Sequence, residues 1–507
     1  MDRLPPVSAE GVSFGSSAGR WILAVTVLGS GMAFLDGTVV NIALPDIGRD
    51  LNASTSSLQW ILNGYLLMLA SLILLGGSLG DRYGRRQVFV IGVGLFTLSS
   101  LLCAVAPTVE LLIGARMLQG VGGALLTPGS LAIIESSFRP SDRSRAIGAW
   151  SGLGGVAAAL GPLLGGYLVQ AVSWRAIFLI NLPLGVFVIA MASRHVPEVR
   201  DPSASGGLDF GGVALAALGL AGTTYALIEA PDQDASALVL LAGVGGVLAL
   251  VAFLFAESRS PNPMMPLGMF SSRQFSGANL VTFAVYAALS GFFFLFVSFL
   301  QISMGYSPIA AGAASLPVTA LMLVFSARSG ALAQRIGARI PLTVGPLVIA
   351  LGLLMLTRIE PGDSYLSGVL PAVIVFGLGL TLVVAPVTST ALAAADARQA
   401  GVASGINNAV SRVGGLLAVA VLPVIAGLTG DSFYDPAKMN DGFHMAMVAC
   451  AVLAAAGGVL AWLTISSEVL EPEAKPEPEF SCAIAGTPLR ASGEQHPMQT
   501  LPARSRS

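Results

Sequence analysis

Two charged residues stand inside stretches otherwise too apolar to hold them. Asp36 lies in the middle of the apolar run 21–44, and Arg116 lies within the run 110–138. A charge at the centre of a lipid-crossing helix costs about 2.5–3.5 kcal/mol on insertion scales, so such a residue normally turns toward a polar cavity and marks a functional site. Desolvation penalises the ionised form of an acid, which lets Asp36 take up and give off a proton near neutral pH. Asn41 on the same run and Gln119, three residues after Arg116, can accept or donate in one network with them. The plainer alternatives are a packing carboxylate satisfied by Asn41 or a hydroxyl, and an arginine bound to backbone carbonyls.

Other chemistry is not suggested. His195, His444 and His496 have no metal-ligand partner at useful spacing, and Cys103, Cys450 and Cys482 are scattered, so neither a metal site nor a disulfide framework is expected. There is no Gly-x-x-x-x-Gly-Lys-[Ser/Thr] stretch, so ATP is not expected to power the protein, and no nucleophile–base or metal constellation that would make it an enzyme. No basic patch interleaved with aromatics points to nucleic acid, and the net charge of −2 points to no partner. No cofactor is expected.

The elements that position these residues follow from composition. Of 507 residues 54% are hydrophobic and 11% charged, against about a quarter charged in soluble domains. Apolar runs of helix-spanning length recur along the chain. The predicted spans are 21–44, 57–79, 87–106, 110–138, 146–169, 175–192, 208–228, 237–255, 276–302, 312–333, 341–356, 366–390, 401–427 and 443–465. The fold class is all-α and membrane-embedded. Residues 1–20 read as a disordered polar start. Residues 466–507, with Glu471-Pro-Glu-Ala-Lys-Pro-Glu-Pro-Glu479, read as a disordered tail. Arginines cluster on one side. Arg20, Arg82, Arg85, Arg86, Arg139, Arg143 and Arg145 are among the inner set, whereas Arg49, Arg175, Arg358 and Lys438 are alone outside, which puts both termini in the cytoplasm. The five tryptophans fall near predicted helix ends and read as interfacial anchors. Lys438 and Lys475 are the only lysines against many arginines, a bias that points to a GC-rich bacterial genome.

A repeat organises the spans. Gly77-Ser-Leu-Gly-Asp81-Arg82-Tyr-Gly84-Arg85-Arg86 after the second run is echoed by Gly330-Ala-Leu-Ala-Gln334-Arg335-Ile-Gly337-Ala-Arg339 after the tenth. Gly120-Val-Gly122 with Pro128 is echoed by Gly377-Leu-Gly379 with Pro386, about 255 residues later. Two parallel halves produce this pattern. The pairing of runs 2 and 10 makes 21–192 and 276–465 six-helix bundles, with two helices, 208–255, inserted between them. Gly77 and Gly80 allow close helix approach. Asp81 can attract a helix N-terminus of the neighbouring bundle, and Arg82, Arg85 and Arg86 can pair with carboxylates, as a reversible latch between halves requires.

These stretches resemble the major facilitator superfamily. Gly77–Arg86 looks like its signature loop, and Arg116-Met-Leu-Gln119-Gly120-Val-Gly122-Gly123 is similar to its helix-4 motif. Leu160-Gly161-Pro162-Leu-Leu-Gly165-Gly166 resembles its antiporter motif, with Ala157 in place of the first glycine. Leu35-Asp36-Gly37-Thr38-Val39-Val40-Asn41 and Trp174–Gly185 resemble fourteen-helix drug:proton antiporters of the EmrB/QacA type. The resemblance covers residues 20–465. It implies a proton-driven exporter of amphipathic, apolar or cationic compounds, multi-pass in the bacterial plasma membrane, monomeric, cycling by alternating access with substrate and proton competing for Asp36. Arg116 would share in proton coupling, and Gly161, Pro162, Gly165 and Gly166 would bend helix 5 and limit leakage. Arg335 would serve a weaker second latch, because Gln334 stands where the first copy has an acid. Arg412 in Asn407-Asn408-Ala-Val-Ser411-Arg412 falls in a stretch like one in the family, with snorkelling at the cytoplasmic end as its plain reading. Phe292, Phe293, Phe294 and Phe296 are candidates for the cavity lining. A dedicated exporter of a self-made metabolite or lipid, an importer of a small nutrient, and a non-transporting receptor or assembly partner are the alternatives.

Overall fold

The computed structural model describes residues 11–200, 209–231, 236–261, 263–395 and 399–466. Fourteen of its helices are long and apolar enough to cross a membrane. The first six are α1 (Ser17–Leu51), α2 (Thr55–Tyr83), α3 (Arg85–Val105), α4 (Val109–Ser137), α5 (Pro140–Ala171) and α6 (Ala176–His195). Next come α7 (Phe210–Glu229) and α8 (Ala237–Arg259). The last six are α9 (Arg273–Ile302), α10 (Pro308–Ile336), α11 (Arg339–Leu356), α12 (Tyr365–Ala393), α13 (Gly401–Ile425) and α14 (Pro436–Thr464). All fourteen expected spans are present, mostly longer than drawn because polar end turns stay helical. Residues 11–20, expected to be disordered, are ordered instead. Ser16 caps α1, and Val12 donates to Ser137 O at 2.8 Å and accepts from Arg139 N at 3.1 Å. Residues 1–10, Arg398 and nearly all of the expected tail lie outside the described residues.

The repeat is spatial as well as sequential. In the first half α4 packs on α2 and α3, and α1 packs on α5. In the second, α12 packs on α10 and α11, and α9 packs on α13. The matched glycines explain the register. A Cβ on Gly120 would lie 2.5 Å from Tyr65 O on α2, and one on Gly377 3.0 Å from Val318 Cα on α10. A Cβ on Gly122 would sit 2.6 Å from Phe96 N on α3, and one on Gly379 2.6 Å from Ile349 N on α11. Only glycine lets these backbones approach so closely. Gly84 and Gly337 end α2 and α10 at φ 118° and 83°, a region that favours glycine.

The inserted pair α7–α8 stands against one seam. Its helices meet at Gly222 and Gly246, and α7 rests on α2 and α13 through Leu220 and Ala221 against Leu67, Ala70 and Leu416. Trp60 donates to Glu229 at 2.9 Å. Along α8 the chain faces outward with Leu240, Leu241, Val244, Leu248, Val251 and Phe255.

The tryptophans do more than anchor at interfaces. Trp21 and Trp462 are exposed near helix ends, but Trp174 is buried and donates to Asp50 at 3.0 Å. Trp150 lies inside α5 and donates to Ser30 on α1 at 3.1 Å. The indole N–H needs a partner when enclosed, and each of these finds one on another helix.

The two halves meet along α2 and α13, from Gly405 against Leu74 onward, and between α5 and α10 they meet toward one face. With an even helix count, Ser17 and Thr464 share a face, here the terminal face; the α1–α2 turn lies on the far face. At the far face Gln301 donates to Ile42 O at 2.9 Å, Thr55 to Gly430 O at 2.8 Å, and Tyr434 to Ala53 O at 3.0 Å. Gln59 donates to Val419 O at 2.7 Å, a carbonyl that Pro423 leaves without its helical partner. Between α5 and α10, Gly166 meets Pro308 and Ile309, and Gly312 meets Pro162. Toward the terminal face these two helices present exposed Leu153, Leu160, Leu323, Val324 and Leu332, with open space beside Gly148 and Gly152.

Candidate functional site

Asp36 and Arg116 meet. Arg116 Nη1 donates to Asp36 Oδ2 at 2.6 Å and to Gln119 Oε1 at 2.6 Å, while Gln119 Nε2 returns to Asp36 Oδ1 at 2.9 Å. The positions are set by helix geometry: residues 116 and 119 lie on one face of α4, one turn apart. The network extends to residues that sequence reasoning passed over. Gln119 Nε2 donates to Ser100 Oγ on α3 at 2.8 Å, and Asn181 on α6 donates to the same hydroxyl at 3.2 Å. Arg116 Nε donates to Ile61 O on α2 at 3.1 Å, and its guanidinium lies 4.5 Å from the Tyr65 ring centroid and 5.9 Å from that of Phe178. Asn181 stood in a noted stretch; Ser100 carried no local signal, because a serine among leucines declares nothing about its partner.

Asp36, Gln119, Ser100 and Asn181 have no exposed surface, and Arg116 has 1%. Five helices of the first half therefore close over a fully enclosed ion pair. A pair buried in this way is strongly bound geometrically, and removal of one partner leaves an uncompensated charge. This differs from the expectation in two respects. Asp36 does not face an open cavity, so direct competition between substrate and proton at its carboxylate does not fit this conformation. Asn41 is not in the network: its amide donates to Gly37 O at 3.1 Å, one turn back on α1.

The antiporter-motif residues hold α1 in place. Gly161 abuts Thr38, and a Cβ on Gly165 would lie 3.1 Å from Val39 Cβ. Thr38 and Val39 directly follow the Asp36 turn. Ala157, which departs from the motif, faces Gly31, so the small residue has moved to the other helix. Pro162 and Gly166 reach α10 at the far-face seam.

The signature loop is engaged within its own half. Arg85 pairs with Asp81 at 2.9 Å and donates to Ala132 O on α4 at 3.0 Å. Arg86 pairs with Glu198 at 3.3 Å and donates to Val196 O at 3.1 Å. Arg82 lies 5.7 Å from the Tyr83 ring centroid. Gly77 faces Pro128, and Gly84 sits beside Glu198. Asp81 is thus held by Arg85 one turn on, not by a helix of the other bundle as expected. Arg335 in the second copy is exposed.

Two further expectations are corrected. Arg412 is not at a helix end: it stands eleven residues into α13, about 16 Å along it, and its Nε is enclosed without a hydrogen-bond partner among the described residues. Phe292, Phe294 and Phe296 have no exposed surface. They pack inside the second half, Phe292 against Phe296 at 4.6 Å and against Phe376 at 4.2 Å between centroids, and Phe294 against Phe433 at 6.1 Å.

The comparisons agree with this geometry. Residues 26–419 match the Major Facilitator Superfamily model. The chain is 38% identical over 419 residues to the tetracenomycin C resistance and export protein of Streptomyces glaucescens, covering 82% of this chain and 77% of that one. It is 36% identical over 488 residues to the puromycin resistance protein of Streptomyces alboniger, covering 92% and 96%. It is also 38% identical to the multidrug resistance protein Stp of Mycobacterium tuberculosis, covering 79% and 74%. Among solved structures, a bacterial homologue of the human lysosomal transporter Spinster, inward-facing and unoccupied, superposes with a TM-score of 0.63 at 18% identity, covering 89% of this chain and 98% of that one. With the repeated bundles, the buried charge pair and these likenesses together, the chain belongs to the major facilitator superfamily.

Proposed function

We propose that the protein is a proton-driven exporter of small amphipathic compounds, including drugs or antibiotics, in a bacterial plasma membrane with both termini cytoplasmic. Relatives named for antibiotic resistance and export support the cargo class. The arginine bias of the terminal face supports the orientation. In that orientation the conformation described above is inward-facing, sealed outside and parted inside between α5 and α10.

The enclosed Asp36–Arg116–Gln119 network is the observation that carries the reading. Protonation of Asp36 removes the charge that holds Arg116, so the bridge between α1 and α4 is the bond that a proton breaks. Asp36 and Ile42 lie six residues apart on α1, about 9 Å along the axis. Ile42 O is held across the far-face seam by Gln301, and Thr38 and Val39 between them rest on α5, which touches α10. A shift of α1 on protonation therefore reaches the external seal directly. External protonation and internal release at Asp36 then alternate with cargo that binds elsewhere in the cavity.

The magnitudes suffice. One charge crossing 100 mV supplies about 2.3 kcal/mol and one pH unit about 1.4 kcal/mol. One proton exchanged for a neutral compound thus sustains a gradient of several hundredfold at about 1.4 kcal/mol per tenfold. One carboxyl in the network implies low proton stoichiometry. The test is dye accumulation in everted vesicles energised with an imposed proton gradient, parent against Asp36→Asn. Accumulation by the parent and none above background by the variant is the expected outcome; release of dye from such vesicles would indicate an importer instead.

A further inference from the structure

Basic residues at the terminal face are answered differently in the two halves. In the first half Asp81 pairs with Arg85, and Glu198 with Arg86. In the second, the terminal-face ends of α9 to α14 carry Arg273, Arg328, Arg335 and Arg339 and, among the described residues, no Asp or Glu. Like charges gathered on one surface repel each other and raise a potential that attracts anions.

Two of these arginines converge on the last turn of α14. The guanidinium of Arg339, the first residue of α11, lies 4.0 Å from the Trp462 ring centroid. Arg273, the first residue of α9, donates to the O of the next residue, Leu463. Arg339 is half-buried, and among the described residues its guanidinium has no hydrogen-bond acceptor and no ion pair. Trp462 is 51% exposed, and an exposed indole at a helix end marks the membrane–water boundary. Away from that boundary α11 and α14 run side by side. A Cβ on Gly458 would lie 2.9 Å from Thr343 O, and one turn nearer the terminal face the same two helices present Trp462 and Arg339 to each other. Exposed Val344, Leu347 and Leu351 on α11 flank exposed Val459 and Leu463 on α14. An apolar furrow therefore leads to an arginine held against an aromatic ring.

We infer that Arg339, Arg273 and Trp462 form a site for an anionic phospholipid of the leaflet at the terminal face, its headgroup phosphate on the arginines and an acyl chain along the α11–α14 furrow. The furrow calls for hydrocarbon and the guanidinium for an anion, and a phospholipid supplies both in that order along the membrane normal. Basic residues at this depth are drawn to anionic headgroups, and arginine matches the oxygens of a phosphate through its planar fork. A soluble anion would use the arginines and leave the furrow to other lipids. The stretch Glu471-Pro-Glu-Ala-Lys-Pro-Glu-Pro-Glu479, which lies outside the described residues, offers carboxylates but no long apolar side chain for the furrow. A lipid held there joins the ends of α9, α11 and α14, three helices of one half. The inference goes beyond the export reading and holds whatever the cargo is.

The test titrates purified full-length protein in mild detergent with phosphatidylglycerol and, separately, with phosphatidylcholine of the same acyl chains, and counts bound lipid by native mass spectrometry. The parent is expected to bind its first phosphatidylglycerol about tenfold more tightly than phosphatidylcholine. Arg339→Gln should lower that preference severalfold, whereas Arg339→Lys should keep most of it, because an ammonium still pairs with phosphate as a point charge. Trp462→Leu, at an exposed apolar position, should fold normally and lower the preference to a smaller extent, so the inference stays testable if Arg339→Gln is unstable. Arg358→Gln, at an exposed site on the far face, is the control and should change nothing. No preference in the parent, or a preference unchanged in both Arg339→Gln and Trp462→Leu, overturns the inference. An equal loss in Arg358→Gln also overturns it, since general surface charge would then explain the binding. A preference that appears only in the combined Glu471→Gln, Glu473→Gln, Glu477→Gln and Glu479→Gln variant would assign the arginines to the acidic tail instead of to lipid.

Discussion

The two six-helix halves share one helix plan and keep their charge in opposite ways. In the first, α4 brings Arg116 and Gln119 to Asp36, and every hydrogen-bonding group of the aspartate is engaged. In the second, the matching helix α12 carries Gly377, Gly379 and Pro386 but no charged residue, and aromatic rings fill the interior. There Arg412 stands inside α13, and among the described residues it makes no ion pair and its Nε has no hydrogen-bond partner. The glycine scaffold is common to both halves because backbone approach is a requirement of the fold. The charged network is not common: the buried polar cluster of the second half, where Asn407 donates to Asn279 at 3.2 Å and to Thr282 at 2.8 Å, is uncharged.

The largest effects should come from breaking the engaged half. Arg116→Met leaves Asp36 enclosed and unpaired, and should cost on the order of 3–5 kcal/mol of stability, read as a marked fall in the melting temperature of detergent-solubilised protein. Asp36→Asn with Arg116→Gln should regain most of that stability yet remain transport-inactive. Recovery of transport in the double variant would show that the pair is structural only.

A smaller effect is expected at the far-face seam. A Cβ on Gly166 would lie 2.6 Å from Pro308 O, so Gly166→Leu should push α5 from α10 and favour the outward-open form. Distances between spin labels on the outer ends of α5 and α10 should lengthen by several ångströms. Unchanged distances would mean that this contact does not gate the seam. Ser100→Ala removes an acceptor used by both Gln119 and Asn181, and should slow dye export severalfold, within the 1–3 kcal/mol typical of a buried polar group left unmatched. The smallest contrast lies between the two loop copies. Arg85→Ala breaks an ion pair and a bond to Ala132 O and should lower export clearly, whereas Arg335→Ala, at an exposed site, should change it less than twofold. Equal losses would argue that both loops serve as latches.

Much of this plan was legible in the chain. The spans follow from apolar run length, and the halves from the order of Gly77–Arg86, Gly120–Pro128 and their echoes. Asp36 and Arg116 announced themselves because a charge amid apolar residues needs a reason. What could not be read were pairings across helices. Ser100 is inconspicuous in α3. Asn41 looked available, but its place on α1 turns it back to Gly37. Arg412 reads as a snorkelling arginine because a guanidinium on an apolar run is expected to reach for the interface, although the span 401–427 already sets it eleven residues in. The phenylalanines of α9 read as cavity lining or as lipid face, and their burial was not legible, since an all-apolar helix has no polar side to betray its orientation.

Proton release on cargo binding bears most directly on the role of the buried pair. Purified protein in weakly buffered detergent, with a pH-sensitive dye, should release protons when saturating cargo is added, and Asp36→Asn should bind the same cargo with no release. Proton release of equal size from the variant would contradict the assignment of Asp36 as the proton carrier.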